Sequence, residues 1–377
     1  MIEKKTEKKT EKNYGIEFLR ILSMIMFVVL HIFRGERTIY DVANLSGNRM
    51  VIVFIHSFCF VAVNCFALIS GYVMYNSKFR MSKICQLWAQ TFFYSAGFRV
   101  LFSVIKKEFN TIKLIKSFLP ISSAQYWYVS AYFGMFFLIP LLNAVINKLE
   151  KKVFEKTLLL CFIVFCVNFA LLFDPFDLQG GYSTLWLALM YLTGGYISKY
   201  SVAEKIKKST ALILYFVMAT IMFLSRPIMN VLTGKVFGKV LYEDLFISYN
   251  TALVILASLG LFVFCVKLSF SERTKKVIGF FSPAALGVYL IHYHPNVITD
   301  VIKKALPDLD AINIFLVPVF VFSFALVIYV VCSLIEKARI CLFKLLRINS
   351  LFVKFENLTD CIYEKVYNKF NANKAVE

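Results

Sequence analysis

The sequence predicts an all-α, polytopic integral membrane protein of about ten transmembrane helices enclosing a polar cavity. Three observations carry that expectation. Apolar residues make up 59% of the chain, and they gather in long runs rather than in the short periodic patches of a soluble core. The runs do not alternate: TALVILASLGLFVFCV at 251–266 lacks the in–out pattern of barrel strands, which leaves helices as the way to satisfy a backbone in lipid. Lysines cluster between the runs, so the net charge of +19 reads as membrane topology and affinity for anionic lipid rather than as a nucleic-acid surface.

The first run, YGIEFLRILSMIMFVVLHIF at 14–33, is long enough to cross a bilayer core, yet it carries Glu17, Arg20 and His31. Ionisable groups are costly at that depth. Arg20 and His31 are eleven residues apart, which at ~100° per residue returns them to one helix face, ~16 Å apart along the axis. Glu17 lies one turn before Arg20, within reach of an i,i+3 pair. A stripe of this kind must face protein or a water-filled cavity. The plainer alternative leaves Glu17 and Arg20 snorkelling at the interface with a lone interior histidine beyond them.

The remaining spans are read at about 51–75, 84–105, 126–146, 157–173, 182–198, 210–225, 246–266, 278–294 and 311–335. With a cytoplasmic N-terminus, Lys4, Lys5, Lys8, Lys9 and Lys12 fall inside. So do the clusters Lys78–Lys83, Lys148–Lys156, Lys199–Lys208, Lys267–Lys276 and Lys337 onward. This follows the positive-inside rule and places both termini in the cytoplasm of a multi-pass protein of the plasma (inner) membrane. The segment Lys106–Gln125 runs against it, with four lysines on the outer side. The organisation is therefore a charged tail at 1–13, a membrane domain at 14–335 and a basic amphipathic tail at 336–377, where RICLFKLLRINSLFVKF suits the cytoplasmic leaflet. The N-terminus precedes a full-length span, so no cleavable signal peptide is expected.

Span two ends in VNCFALISGY, where Asn64, Ser70, Gly71 and Tyr72 interrupt the apolar run. They serve equally as a small-residue packing seam or as ligand contacts. His56, earlier in the span, reads better as a hydrogen-bonded structural histidine. Trp127 and Tyr128 open the fourth span at the depth of an aromatic belt. Tyr289 and His292 share a face near the end of the ninth. His292 and His294 do not, and no other cluster has metal-ligand spacing, so no metal is expected. The nine cysteines lack CxxC spacing and read as small buried apolar groups. No phosphate-binding loop, dinucleotide fingerprint or GxSxG elbow is present.

Four separated pieces resemble one family, the acyltransferase 3 family of integral membrane acyltransferases. They are IEFLR with Arg20 and His31 in span one, FALISGY at 66–72, YWYVSAYFGMFFLIPLL at 126–142 and LGVYLIH at 286–292. YLTGGYIS at 191–198 is a weaker fifth. Two departures stand out: Ala285 occupies a position where the family commonly has serine, and KFRMSKICQLWAQ follows the Ser-Gly segment where the family has more arginine and a proline. The resemblance implies transfer of an acyl group, usually acetyl, from cytoplasmic acyl-CoA to a hydroxyl of an envelope glycan or lipid-linked sugar. Acyl-CoA would be a substrate, with no permanently bound cofactor.

On that reading His31 is the general base or is itself acylated. Arg20 contacts CoA phosphate or the thioester carbonyl, and Glu17 holds Arg20. Asn64, Ser70, Gly71, Tyr72, Trp127, Tyr128, Tyr289 and His292 are candidates for the cavity. The competing class is a secondary transporter or polysaccharide exporter, which repeat-related broken helices would favour; no internal repeat is evident.

Overall fold

The computed structural model of the chain describes residues 12–34 and 47–374, so most of the charged tail at 1–13 lies outside the described residues. These residues form helices and connecting turns, with no strand among them. The long elements in order are α1 (Tyr14–Arg34), α2 (Gly47–Cys59), α3 (Ala62–Met74), α4 (Met81–Lys106), α5 (Thr111–Phe118), α6 (Trp127–Lys148) and α7 (Lys151–Ala170). There follow α8 (Thr184–Lys199), α9 (Lys208–Phe237), α10 (Ala252–Val266), α11 (Glu272–Phe281), α12 (Ala285–His292), α13 (Leu316–Leu345) and α14 (Ile348–Lys374).

A helix occupies each of the ten positions read from the sequence. Six of them are long and apolar enough to cross a membrane by themselves, and α11–α12 with the bent segment that follows makes a seventh. The 15-residue α10 is apolar but shorter. Two spans are broken. The second is interrupted by a two-residue turn at Phe60–Val61, between α2 and α3, within a stretch that still counts as one span, Gly47–Met74. The ninth turns through 72° after His292. The last span continues past residue 335 to Leu345, and the tail beyond it is the helix α14, packed against α4 and α13.

The hub is α1. It packs on α2, α3, α10, α11, α12 and α13, and 72% of its apolar window is buried, against 11% for α7. The difference separates an interior helix from a peripheral one whose Leu159, Leu160 and Ile163 are exposed, as suits a lipid-facing surface. Asn13 fixes where α1 begins: its Oδ1 accepts from the Ile16 N–H at 3.1 Å, capping an orphan donor, while its Nδ2 donates to the Val266 carbonyl at 3.1 Å. Ser183 and Thr251 cap α8 and α10 in the same way.

The seam between α3 and α8 depends on small residues. A Cβ at Gly71 would lie 1.8 Å from the Tyr191 carbonyl oxygen, and one at Gly194 would lie 2.1 Å from that of Leu68. The two helices are therefore in backbone contact, the arrangement that small residues permit in membranes. Farther out, Glu336 of α13 is buried and fully engaged: Arg339 meets it through two bonds of 2.6 and 3.0 Å, the Tyr94 hydroxyl donates at 2.6 Å and Gln90 donates at 3.1 Å. A carboxylate at this depth is tolerated only with such a complement.

Gly194→Val is expected to force α3 and α8 apart, at a cost of at least ~1–3 kcal/mol for overpacking. The thermal midpoint of the detergent-solubilised protein should fall by several degrees. An unchanged midpoint would show that the two backbones do not need to touch.

Candidate active site

The stripe on α1 is formed as its periodicity requires. Arg20 Nη1 donates to Glu17 Oε2 at 3.3 Å, and Lys12 Nζ lies 3.6 Å from Glu17 Oε1. Ser282, in the short turn Ser282–Ala284 between α11 and α12, donates its hydroxyl to Glu17 as well. Glu17 thus holds Arg20 and pins the broken ninth span to α1. The guanidinium is partly open, its side chain 28% exposed against 10% for Glu17.

From Arg20 a cavity of about 310 Å³ runs along α1 past Met24 to Phe27. Its other walls include Ser70, Tyr128, Tyr132, Ser282 and Tyr289. The α1 positions advance by four and three residues, so they are successive turns of one face. At the far end the cavity is closed by Phe27, Tyr128 and Tyr289, all buried. Their rings meet edge-on, with centroids 5.4 Å apart for Phe27–Tyr289 and 6.2 Å for Tyr128–Tyr289. Ala285 lines the same wall one turn after Ser282, so a hydroxyl is present near the position where the sequence departs from the family it resembles.

One turn beyond Phe27 lies His31, its ring edge-on to Phe27 at 4.7 Å and stacked on Tyr293 at 4.1 Å. Its Nδ1 is 2.8 Å from His292 Nε2, and His292 Nδ1 is 2.6 Å from the Val288 carbonyl oxygen. These bonds assign the protons. A carbonyl only accepts, so His292 Nδ1 carries hydrogen. Neutral His292 then presents Nε2 as an acceptor, His31 donates from Nδ1, and the lone pair of His31 resides on Nε2. The chain thus holds a basic imidazole nitrogen oriented by a second histidine, itself oriented by the backbone.

The other predicted residues divide. Ser70 lines the cavity and bonds to the Phe66 carbonyl at 3.0 Å and to Tyr132 at 3.4 Å. Asn64 is committed elsewhere, donating to the Tyr249 carbonyl and accepting from Trp186 Nε1, both at 2.9 Å. Gly71 belongs to the α3–α8 seam, Tyr72 packs on Phe262 and Trp127 packs on Tyr182, all outside the cavity lining. His56 is also apart, against Phe60 and within the field of the buried Arg226. The hydrogen bond expected there is not made at Nδ1 with any described residue. Met24, Phe27, Tyr132 and Ser282 were not singled out. Phe27 and Met24 were readable as the turns between Arg20 and His31, and Ser282 as a hydroxyl beside a proline in an otherwise apolar run. No group of three metal-ligating side chains occurs among the described residues.

A partly buried ion pair, an apolar cavity and an oriented imidazole on one interior helix define a helical membrane protein with the parts of an enzyme site. The chain belongs to the acyltransferase 3 family, whose profile, described as an acyltransferase domain, matches residues 13–336. It is a membrane acyltransferase. No curated protein and no solved structure matches it.

The pairing of histidines generates a test. His292→Phe removes the acceptor of the His31 Nδ1 proton and frees the wrong tautomer, so acyl transfer should fall ~10–100-fold, the effect of losing a partner that orients a histidine. His292→Gln retains a side-chain acceptor and should recover part of the loss. Equal activity in both variants and wild type would show that the second histidine does not orient the first.

Proposed function

We propose that this protein transfers an acyl group, most simply acetyl, from cytoplasmic acyl-CoA to a hydroxyl of an envelope glycan or lipid-linked sugar. The observation that carries the proposal is the line from Arg20, through the cavity, to the oriented His31. A volume of about 310 Å³ sits at the lower end of small-molecule pockets, ~300–1,000 Å³. It suits a slender acyl-thioester arm rather than a whole nucleotide. The mostly apolar walls suit such an arm, and the guanidinium at the partly open end suits phosphate or carbonyl oxygen, which its planar fork can bind in pairs.

His31 then acts at the closed end. With Nε2 carrying the lone pair, it takes the proton of the acceptor hydroxyl as that oxygen attacks the thioester carbonyl. The same nitrogen would also be the attacking atom if His31 were acylated first. His31 is buried, and the reaction centre is correspondingly shielded from water, which protects a thioester from hydrolysis. In this reading both termini and Arg20 are cytoplasmic and His31 lies toward the outer half of a plasma-membrane protein. The bilayer, acyl-CoA and the saccharide acceptor are its partners; nucleic acid is not.

Membranes containing the protein, supplied with acyl-CoA and envelope glycan, should show transfer by mass spectrometry. His31→Ala should lower it by ~10²–10⁴-fold, the usual worth of a general base, and His56→Ala should not. Arg20→Lys keeps the charge but not the fork and should also be impaired while inserting normally. Flux of an acceptor into liposomes that depends on His31, with no acyl-CoA-dependent transfer, would support the transporter reading instead.

A further inference from the structure

Tyr289 belongs to both halves of the site. It lines the cavity that begins at Arg20, and its ring centroid is 6.3 Å from that of His31 and 6.1 Å from that of His292. It is 1% exposed. The Tyr128 backbone N–H approaches the phenol oxygen, but the pair does not reach hydrogen-bond geometry. The hydroxyl has no hydrogen-bond partner among the described residues.

A buried hydroxyl is normally paired, because leaving it unpaired forfeits the hydrogen bonds it made in water. Phenylalanine would satisfy every ring contact seen here: the edge-on faces of Phe27, Tyr126 and Tyr128 and the stack on Tyr293 at 5.5 Å. Packing therefore accounts for the ring and not for the oxygen. An unpaired donor on the wall of a cavity, beside an oriented base, is the arrangement that stabilises charge appearing only during reaction.

Building on the proposed acyl transfer, we propose that the Tyr289 hydroxyl is the oxyanion donor. The acceptor oxygen loses its proton to His31 Nε2 and forms a bond to the thioester carbon. The carbonyl π electrons move to oxygen, and the resulting oxyanion accepts a hydrogen bond from the Tyr289 O–H, which keeps its proton throughout. Collapse re-forms the carbonyl and breaks the carbon–sulfur bond. The departing thiolate takes the proton from His31 Nε2, returning the imidazole to neutrality. If His31 is acylated first, the same donor serves each tetrahedral intermediate. The division of labour follows the cavity: Arg20 holds the donor at the partly open end and Tyr289 receives the carbonyl at the closed end.

The test is Tyr289→Phe, compared with wild type in membranes supplied with acyl-CoA and glycan. Loss of one oxyanion donor lowers kcat by ~10²–10³-fold. KM for acyl-CoA should stay within a few-fold, the pH profile set by His31 should keep its shape, and the thermal midpoint should be unchanged or raised because an unpaired buried hydroxyl has gone. A structural role predicts the opposite set: normal kcat with any change confined to the midpoint. If wild type transfers and Tyr289→Phe transfers at a rate within about threefold of it, the Tyr289 assignment falls alone. If wild type shows no acyl-CoA-dependent transfer, the proposed function falls and takes this role with it.

Discussion

The structure is organised by the cost of placing charge inside a membrane. Glu17 and Arg20 sit in a helix otherwise suited to lipid, and an ionised group facing hydrocarbon is among the most costly arrangements available to a membrane protein. Every feature around α1 reduces that cost. Arg20 and Lys12 offset the carboxylate, and the Ser282 hydroxyl supplies a neutral donor to it. Six helices enclose the stripe. Because Ser282 belongs to the short turn that joins α11 to α12, the same carboxylate that steadies Arg20 also ties that junction to α1. Tyr289 and His292 ride on α12, so the ion pair at one end of the site is linked through Ser282 to the helix that carries the residues at the other. A buried ion pair is weak support for stability; here its effect is one of position.

The same constraint explains how much of the molecule was legible in the sequence. Hydropathy locates segments that must face lipid, and it placed each peripheral helix, although α9 runs on to Phe237 and α13 to Leu345, well past the ends read at 225 and 335. It is less informative about short helices and those carrying polar residues. Span three, as α4, carries Gln90, Thr91, Ser95 and Arg99, and α8 is held by Gly71 and Gly194 rather than by bulk. Neither helix passes a test of length and apolarity alone, α4 because of its polar residues and α8 because it is only 16 residues long. The sequence therefore shows where the runs are more clearly than how many of them cross.

For the site, periodicity sufficed along one helix and failed between helices. The 3.6-residue repeat puts Glu17, Arg20 and His31 on one face without any knowledge of the fold, and the ion pair follows from spacing. Nothing local reports that His31 meets His292, 261 positions away. That contact depends on the packing of α12 against α1. For the same reason span two was read too evenly. Its polar residues look alike in sequence, yet Ser70 reaches the cavity, Asn64 ties Trp186 to the Tyr249 backbone and Gly71 admits α8. Neighbours assign those roles, and a single sequence does not contain them.

The separation of Arg20 from His31 is itself a functional argument on the proposed reading. A soluble acyltransferase can place donor and acceptor sites side by side, since both substrates arrive through water. Here the two groups are ~16 Å apart along one helix, and the cavity that starts at Arg20 ends at Phe27, one turn short of the imidazole. A donor entering from the Arg20 end brings its carbonyl to the aromatic wall, while an acceptor at His31 stands on that wall's other face. Phe27, Tyr128 and Tyr289 are then the boundary at which two substrates from opposite sides of the membrane meet. Two of the three carry hydroxyls. A boundary made only to separate would be apolar throughout; one that also reacts needs a donor in it, and Tyr289 lines the cavity, lies beside both histidines and carries an unpaired hydroxyl.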